Sequence, residues 1–368
     1  MDWTLLKRFF RLSLLLVIVT FAAGLATAQL LPTLTNVRTV ASTVPTNGDV
    51  NPYGVAQVPE SKGKLVEGDI LISNFNNSAN QQGTGTTIVQ ISPTGAVHLF
   101  AQIDAKTLPG NCPGGVGLTT ALVALSSGWV VVGSLPTSDG TSATAKAGCL
   151  IVLNSNGNVV ETISGGHIAG PWDMTAADGS PTATLLVTNL LSDANLSDTQ
   201  PSNTATVVRV VLKVDVADKP QVLSSTVIGS GFPVRFDPAA LIIGPTGVAL
   251  DGNLDLLFVA DSLNNRIAGI PNPLTRTTSA GTGVTLSHGG ALNDPLATSR
   301  APSGNIIVSN GGDGNLVEIT DDGKQVATKL VDMSGSPPGA GALFGLLALS
   351  DRVFFVDNAT NTFNVAEP

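Results

Sequence analysis

An all-β fold of six repeated sheets is predicted by two features of this 368-residue sequence. Forty Gly and only 12% charged residues suit many short strands joined by turns. A short apolar run that ends in one or two small polar residues also recurs, with successive end points 60, 55, 72, 49 and 48 residues apart. The six runs are ILISN (70–74), VVVGS (130–134), LLVTN (185–189), LFVAD (257–261), IIVSN (306–310) and FFVDN (354–358). Such a period, stretched by loop insertions, is typical of radial β repeats and predicts a six-bladed β-propeller with four-stranded blades.

The first 28 residues have the pattern of a secretory signal peptide. Lys7, Arg8 and Arg11 precede an apolar segment over 12–25, and Ala26-Thr27-Ala28 supplies the small residues of a cleavage site. We therefore expect residues 1–28 to be removed and the protein to be secreted, extracellular or periplasmic. An uncleaved N-terminal anchor is the alternative. Residues 29–368 are predicted to form a single propeller domain.

The charge balance excludes some partners. The formal net charge is −9, and loss of three basic residues and one acidic residue with the signal peptide makes it −11. No cluster of Lys and Arg occurs outside that segment. Nucleic acids and anionic membranes need basic patches, so neither is an expected partner.

The strands of one repeat are clearest in residues 244–270, where strands are predicted at 247–250, 255–260 and 266–270. Equivalent segments predict blades at 50–103, 113–165, 168–229, 243–288, 293–333 and 342–367. The last contains only three strands, and the segment 36–41 is predicted to supply the fourth. This pairing would close the ring and protect its edges. Seven blades is the alternative count.

Small residues are expected where the innermost strand of each blade begins, because this strand borders the crowded central channel. Five blades have Gly or Ala there and the third has an aspartate; the positions are Gly54, Ala121, Asp173, Gly247, Ala297 and Gly345. Three hairpin turns also end in a glycine that is expected at positive φ: Gly95, Gly157 and Gly323.

The sequence contains two cysteines, Cys112 and Cys149. In an oxidising compartment an isolated pair predicts a disulfide. Cys112 precedes the first strand of the second blade and Cys149 begins its third strand, so both are expected at the same end of the sheet. Two free buried thiols are the alternative.

The segment 244–270 resembles the NHL repeat. The matching residues are Pro245, Gly247-Val248-Ala249, Gly252-Asn253, Val259-Ala260-Asp261-Ser262 and Asn264-Asn265-Arg266-Ile267. Residues 52–95 and 295–323 look like degenerate copies. The resemblance implies a propeller, and NHL-like propellers include ligand-binding and protein-binding modules as well as lyases and lactonases.

The resemblance also implies what an enzyme of this kind would contain. Gluconolactonase-type propellers hold a divalent metal, usually calcium, with a Glu and Asn or Asp ligands around the channel. The corresponding segments here are Asn51-Pro52-Tyr53-Gly54, which lacks the Glu, and Pro245-Thr246-Gly247, which lacks the Asn. Streptogramin-lyase-like propellers depend on histidine, and this chain has three.

The first candidate site is a polar ring formed by the ends of the six apolar runs. Its members are Asn74, Ser134, Asn189, Asp261, Asn310 and Asn358. Oxygen donors on one face could bind a polar ligand or, through Asp261, a hard cation such as calcium. The alternative is that these side chains only cap the strand ends.

The second candidate site is the segment from His167 to Asp173. Asp173 breaks the small-residue rule and follows Trp172, so it could act as a general base or metal ligand, with its pKa raised by burial. His167 could assist it, Trp172 could contact a ligand, and His288 enters the fifth blade from the same face. The alternative is that Trp172 packs between blades and Asp173 caps a turn.

The connections between the second and third strands are long in the first three blades, at 75–85, 135–147 and 190–204. We call the face that carries these loops the loop face. Their uncharged polar side chains suit a small polar ligand, a glycan or a protein partner. The sequence favours a secreted binding module that uses this face over an enzyme. The alternative is a calcium-dependent hydrolase of lactonase type, or a lyase, with its site at the channel mouth.

Overall fold

The computed structural model describes residues 29–191 and 196–368. The expected signal peptide at 1–28 lies outside the described residues. The strands are β1 (Asn36–Ser42), β2 (Val50–Gln57), β3 (Ile70–Asn76), β4 (Thr87–Ile91), β5 (Val97–Gln102), β6 (Leu118–Ala124), β7 (Val130–Ser134), β8 (Cys149–Leu153), β9 (Val159–Ile163), β10 (Pro171–Ala177), β11 (Thr182–Asn189), β12 (Ser202–Lys213), β13 (Gln221–Asp237), β14 (Leu241–Ile243), β15 (Pro245–Asp251), β16 (Leu256–Asp261), β17 (Arg266–Pro271), β18 (Val284–His288), β19 (Pro295–Arg300), β20 (Ile306–Asn310), β21 (Asn315–Ile319), β22 (Gln325–Leu330), β23 (Leu343–Ala348), β24 (Val353–Asp357) and β25 (Thr362–Glu367). Short 3-10 helices lie at Leu31–Thr33, Ala105–Thr107, Ser142–Thr144 and Ser262–Asn264.

These strands form six antiparallel sheets, as the sequence predicts. In chain order the blades are β2–β5, β6–β9, β10–β14, β15–β18, β19–β22 and β23–β25 with β1. The innermost strands β2, β6, β10, β15, β19 and β23 each contact the next, and β23 contacts β2. The ring is therefore closed around a central axis.

The N-terminal strand completes the sixth blade. β1 pairs with β25 from Asn36 opposite Glu367 to Ser42 opposite Thr362, with an irregularity between Thr39 and Ala41. The predicted closure is confirmed, and it covers a sheet edge that would otherwise be open to pairing with another chain.

The third blade differs from its prediction. The sequence places its end at residue 229, but β13 continues to Asp237 and makes a hairpin with a fifth strand, β14. Residues 229–231 read as a turn because two of them are glycine. In the structure Ser230 pairs with Thr206 and Phe232 with Ala205, so Gly231, at φ +84°, is an extra bulged residue. A bulge bends a strand without ending it.

The small residues of the innermost strands allow these strands to approach each other. A Cβ on Gly247 would lie 2.6 Å from the Ala297 Cα, and one on Gly54 would lie 2.9 Å from the Thr120 carbonyl oxygen. The turn glycines Gly95, Gly157 and Gly323 have φ values of +97°, +78° and +88°, as predicted.

Cys112 and Cys149 form a disulfide, with 5.2 Å between their Cα atoms, so the predicted pairing is confirmed. None of the helices in residues 29–191 and 196–368 is long and apolar enough to cross a bilayer. The disulfide is compatible with an extracellular or periplasmic protein.

The segment before β1 is anchored by a buried glutamate of the fifth blade. Glu318 has no exposed surface, and its two carboxylate oxygens accept hydrogen bonds of 2.8 Å from the Leu30 and Leu31 amides. The Asn305 amide donates to the same carboxylate at 2.7 Å. Three donors compensate the cost of burying this charge.

Candidate functional site in the axial channel

Four aromatic rings fill the channel at the loop face. Tyr53 stacks on Phe75 and Phe344, with ring centroids 4.5 and 3.9 Å apart, and meets Trp172 edge-on at 5.9 Å. Tyr53 lies in the first half of β2, the innermost strand of the first blade, and Trp172 is the second residue of β10, the innermost strand of the third. Since these blades are not neighbours, their side chains meet across the axis. We call these four residues the aromatic plug; each is at most 4% exposed.

The aromatic plug belongs to a larger apolar cluster. Leu135 and Leu190 from connections of the loop face continue it, together with Phe232 of β13 and Leu241 of β14. Trp172 therefore packs inside the protein, as its alternative interpretation describes. The mouth that the sequence proposes as a site is filled by these side chains.

The rest of the channel is a cavity of about 280 Å³ lined by all six innermost strands. Its lining includes Gln57, Ala124, Leu250 and Arg300, which lie where four of these strands end. The turns between first and second strands and between third and fourth strands of each blade, such as 178–181 and 154–157, form the face at this end. We call it the turn face. The channel is thus open towards the face opposite the predicted one.

Asp173 lies inside this cavity. Its carboxylate oxygen Oδ2 accepts a hydrogen bond of 2.9 Å from the Val248 amide of the next blade. Its own amide donates to the Thr188 hydroxyl at 2.9 Å. Burial raises the pKa of Asp173 to about 7, and the hydrogen bonds from backbone amides oppose this rise. An acid of this pKa both accepts and donates a proton near neutral pH.

A second polar group lines the cavity at the same height. Thr298 is 7% exposed, and its hydroxyl has no hydrogen-bond partner among the described residues. Its amide nitrogen lies 2.6 Å from where a Cβ would sit on Gly247, the residue before Val248. Asp173 and Thr298 therefore flank β15 from its two sides.

An ion pair lies at the open end. The Arg300 Nε donates to the Asp251 Oδ2 at 2.5 Å, and Asp251 is 1% exposed. Arg300 lines the cavity, so its guanidinium is held in one position at the rim. Paired with a buried carboxylate, it adds donors without adding net charge.

The residues of the predicted polar ring do not converge on a common point. Five of the six bond the backbone of a nearby connection or turn: Asn74 Nδ2 donates to Thr43 O at 3.1 Å, Ser134 Oγ to Gly115 O at 2.9 Å, Asn310 Nδ2 to Ala291 O at 2.8 Å and Asn358 Nδ2 to Gly341 O at 3.1 Å, while Asn189 Oδ1 accepts from Gly170 N at 2.7 Å. The sixth, Asp261, accepts hydrogen bonds from the side chains of Asn264 and Arg266. These contacts correspond to the capping alternative. In register, the partner of Leu343 is Asp357, so Asp357 rather than Asn358 is the equivalent of the other ring members.

Asp261 and Asp173 are not brought together. Asp261 accepts a hydrogen bond of 2.7 Å from Arg266 Nε and lies opposite Pro245, three residues from Val248. At about 3.4 Å per residue this places them about 10 Å apart along the strand. Within 29–191 and 196–368, no three His, Cys, Asp or Glu side chains group as a metal site. The residues present do not fit the calcium site implied by the resemblance, which needs six or more oxygens.

The histidines lie away from Asp173. His167 is exposed in the tight turn that follows β9, where Gly165 pairs with Ile168, and it borders a different cavity. His288 ends β18 opposite Arg266. The predicted partnership of His167 with Asp173 is therefore absent from the geometry of the described residues.

Two of the long loops, 75–85 and 135–147, are joined by hydrogen bonds. Gln81 Nε2 donates to the Asp139 carbonyl at 3.2 Å, and the Thr137 hydroxyl donates to the Gln82 carbonyl at 2.5 Å. The third loop, 190–204, includes residues 192–195 outside the described part. The first two loops are therefore joined into one surface on the loop face.

Sequence reasoning missed a set of hydroxyls that connect neighbouring blades. Ser73 Oγ accepts from the Gly54 amide at 3.0 Å and donates to the Thr119 carbonyl of the second blade at 2.8 Å. The four junctions that follow along the chain, from the second blade to the sixth, contain the bonds Thr119 to Pro171 O, Thr188 to Thr246 O, Thr246 to Pro295 O and Ser309 to Phe344 O. A signal was available: Ser73, Thr188 and Ser309 each come directly before the terminal Asn of an apolar run.

No protein-family model matches this chain, and no curated protein matches it. Solved structures do. A gluconolactonase from Xanthomonas campestris superimposes with a TM-score of 0.53 at 12% identity, over 90% of this chain and 89% of that one. The PQQ-bound aldose sugar dehydrogenase of Streptomyces coelicolor gives 0.53 at 14%, over 90% and 98%. The calcium-binding protein regucalcin from Agrobacterium tumefaciens gives 0.51 at 10%, over 89% and 94%.

Identities this low carry the fold alone. This chain is a six-bladed β-propeller with the architecture found in gluconolactonases and regucalcin.

Proposed function

We propose that the protein is a hydrolase or lyase of small polar molecules that works in the axial channel from the turn face, with Asp173 as its acid–base residue. The observation that carries this proposal is a carboxyl group of pKa about 7 lining a cavity of about 280 Å³. A perturbed acid in a concave site is a candidate catalytic group.

The chemistry needs Asp173 in both protonation states. As a carboxylate it accepts a proton from an attacking water, or from carbon in an elimination. As an acid it returns that proton to the leaving oxygen. The hydrogen bond from Val248 fixes one carboxylate oxygen, and the Thr298 hydroxyl is free to donate to a substrate oxygen.

A panel of small substrates tests the proposal on the full-length protein. The panel contains p-nitrophenyl acetate, aliphatic lactones followed with a pH indicator, and uronic acid esters whose elimination creates an ultraviolet-absorbing double bond. For any substrate turned over, we expect Asp173→Asn to lower kcat by about 10²–10⁴-fold. Asp321→Asn, an exposed turn-face aspartate, is the matched control. Equal activity of Asp173→Asn and the wild type would reject Asp173 as the acid–base residue.

Ligand binding through the loop face is the second candidate function. It is supported by the hydrogen bonds that join loop 75–85 to loop 135–147. Loops that are already ordered lose little conformational entropy when a ligand binds. Secretion, predicted from residues 1–28, gives both functions access to extracellular ligands. Shortening loop 75–85 only between residues 77 and 83, which keeps Phe75 of the aromatic plug, should abolish binding of a captured ligand and spare channel chemistry. Unchanged binding would place the binding site elsewhere.

A further inference from the structure

A second and larger cavity lies on the turn face. It measures about 710 Å³ and is lined by turns of the first three blades, including Lys62, Trp129, Ser155 and Ala217. We call it the turn-face cleft. Its volume is within the range of ligand sites, about 300–1,000 Å³.

The walls of the turn-face cleft are tied together by hydrogen bonds between different turns. Lys62 Nζ donates to the Ser127 carbonyl at 2.7 Å, which joins the first blade to the second. The Trp129 indole donates to the Val214 carbonyl at 3.0 Å, which joins the second to the third. These contacts hold the cleft in shape before any ligand arrives, so binding costs little reorganisation.

The cleft shares a wall with the open end of the channel. Asp178 lines the channel, and its Oδ2 accepts a hydrogen bond of 2.7 Å from the amide of Ser126, which lines the cleft. A molecule longer than the channel could therefore lie in both cavities at once.

The side chains that line the turn-face cleft indicate which class of ligand it would bind. Hydroxyls and amides predominate, from Ser126, Ser155, Ser180 and Asn156, around the mostly buried indole of Trp129. The charged groups of this lining are the carboxylates of Glu60 and Asp215 and the ammonium of Lys62, which donates to the Ser127 carbonyl, so a phosphate or sulfate is disfavoured. Apart from Trp129 there is no large aromatic to anchor a peptide side chain. A chain of neutral sugars presents hydroxyl groups that both donate hydrogen bonds to such a surface and accept them from it.

We propose that the turn-face cleft is a subsite for an uncharged oligosaccharide, whose terminal unit enters the channel towards Asp173. The inference rests on the proposed function for the orientation of the oligosaccharide, because the terminal sugar would react in the channel while the rest of the chain is bound in the cleft. The cleft can nevertheless bind whether or not Asp173 reacts.

The test uses the full-length protein with hexasaccharides of α-1,4-glucose, β-1,4-glucose, β-1,4-xylose and β-1,4-N-acetylglucosamine, measured by calorimetry. At least one should bind the wild type. Ala217→Trp, which fills the cleft from an exposed position, should weaken this binding more than tenfold. The control Ala96→Trp, at an exposed alanine in the turn between β4 and β5 and outside the lining of the cleft, should leave it unchanged.

The outcomes separate the two proposals. No binding by any hexasaccharide, equal binding by Ala217→Trp, or binding of peptides in their place would overturn the subsite. Binding that Ala217→Trp removes, with no turnover that depends on Asp173, would support the subsite and reject the catalytic proposal. Asp173→Asn should retain hexasaccharide binding while losing turnover if both proposals hold.

Discussion

Replacing Asp173 with Asn should make the protein more stable above pH 7 and leave its stability unchanged near pH 4. Burial raises the pKa of this carboxyl from its usual 3.8 to about 7 in the folded protein. The folded state therefore holds a proton that the unfolded state releases between these values. Because the folded state binds more protons, the free energy of unfolding falls as pH rises from 4 to 7 and stays low above it. Asn cannot ionise, and it keeps an acceptor for the Val248 amide.

The magnitude follows from the two pKa values. At about 1.36 kcal/mol per pKa unit, the ionised carboxylate costs about 4 kcal/mol above pH 7. Water in the channel screens the charge, so a gain of about 2–4 kcal/mol is expected for Asp173→Asn. For a domain of this length that corresponds to a rise in Tm of about 3–6 °C.

Urea unfolding of the wild type and Asp173→Asn between pH 4 and 8.5 measures the effect. The difference between the two proteins is the relevant quantity, since burial also raises the pKa of Asp294 to about 6 and its titration contributes to both curves. Asp321→Asn should follow the wild type at every pH. A difference between Asp173→Asn and the wild type that does not change with pH would refute a buried, titrating Asp173.

Three further predictions concern stability. Tyr53→Ala should cost about 3–5 kcal/mol in urea unfolding by opening a cavity in the aromatic plug, whereas Tyr53→Phe, which keeps the stacked ring and removes only the hydroxyl, should cost no more than about 1 kcal/mol; equal losses would argue against the plug. Glu318→Gln turns an acceptor into a donor that faces backbone amides, so it should cost about 2–4 kcal/mol and speed hydrogen exchange at Leu30; unchanged exchange there would contradict the anchor. Removing the disulfide with serines at Cys112 and Cys149, 37 residues apart, should cost about 3–4 kcal/mol; wild-type stability after this change would mean that the bond constrains little.

Blade number and ring closure could be predicted because they depend on local patterns. Apolar runs and turn glycines mark strands within a few residues, and the unpaired segment 36–41 matches the missing strand of the sixth blade. The path of β13 could not be predicted so easily, because a glycine that bulges a strand and one that ends it look the same in sequence.

The open end of the channel could not be predicted, because it depends on side chains from distant blades. Tyr53, Trp172 and Phe344 lie far apart in the sequence, and only the closed ring shows that they meet on the axis. The position of Asp173 was correctly marked as unusual by the repeat. The residues around Asp173 were not marked in this way. Val248 contributes its backbone amide, and Thr298 contributes a hydroxyl that has no hydrogen-bond partner among the described residues. Neither contribution belongs to a recognisable sequence motif.

The pairing of β1 with β25 has a mechanical consequence. Asn36 lies opposite Glu367, so the two chain ends leave the sixth blade at the same edge. A force that pulls the termini apart would break the hydrogen bonds between β1 and β25 one after another, starting at this edge. It would not load all of these hydrogen bonds at the same time. The resistance to such a pull would come first from the hold of Glu318 on Leu30 and Leu31. The Glu318 carboxylate would thus protect the pairing of β1 with β25, which closes the ring, against a stretching force.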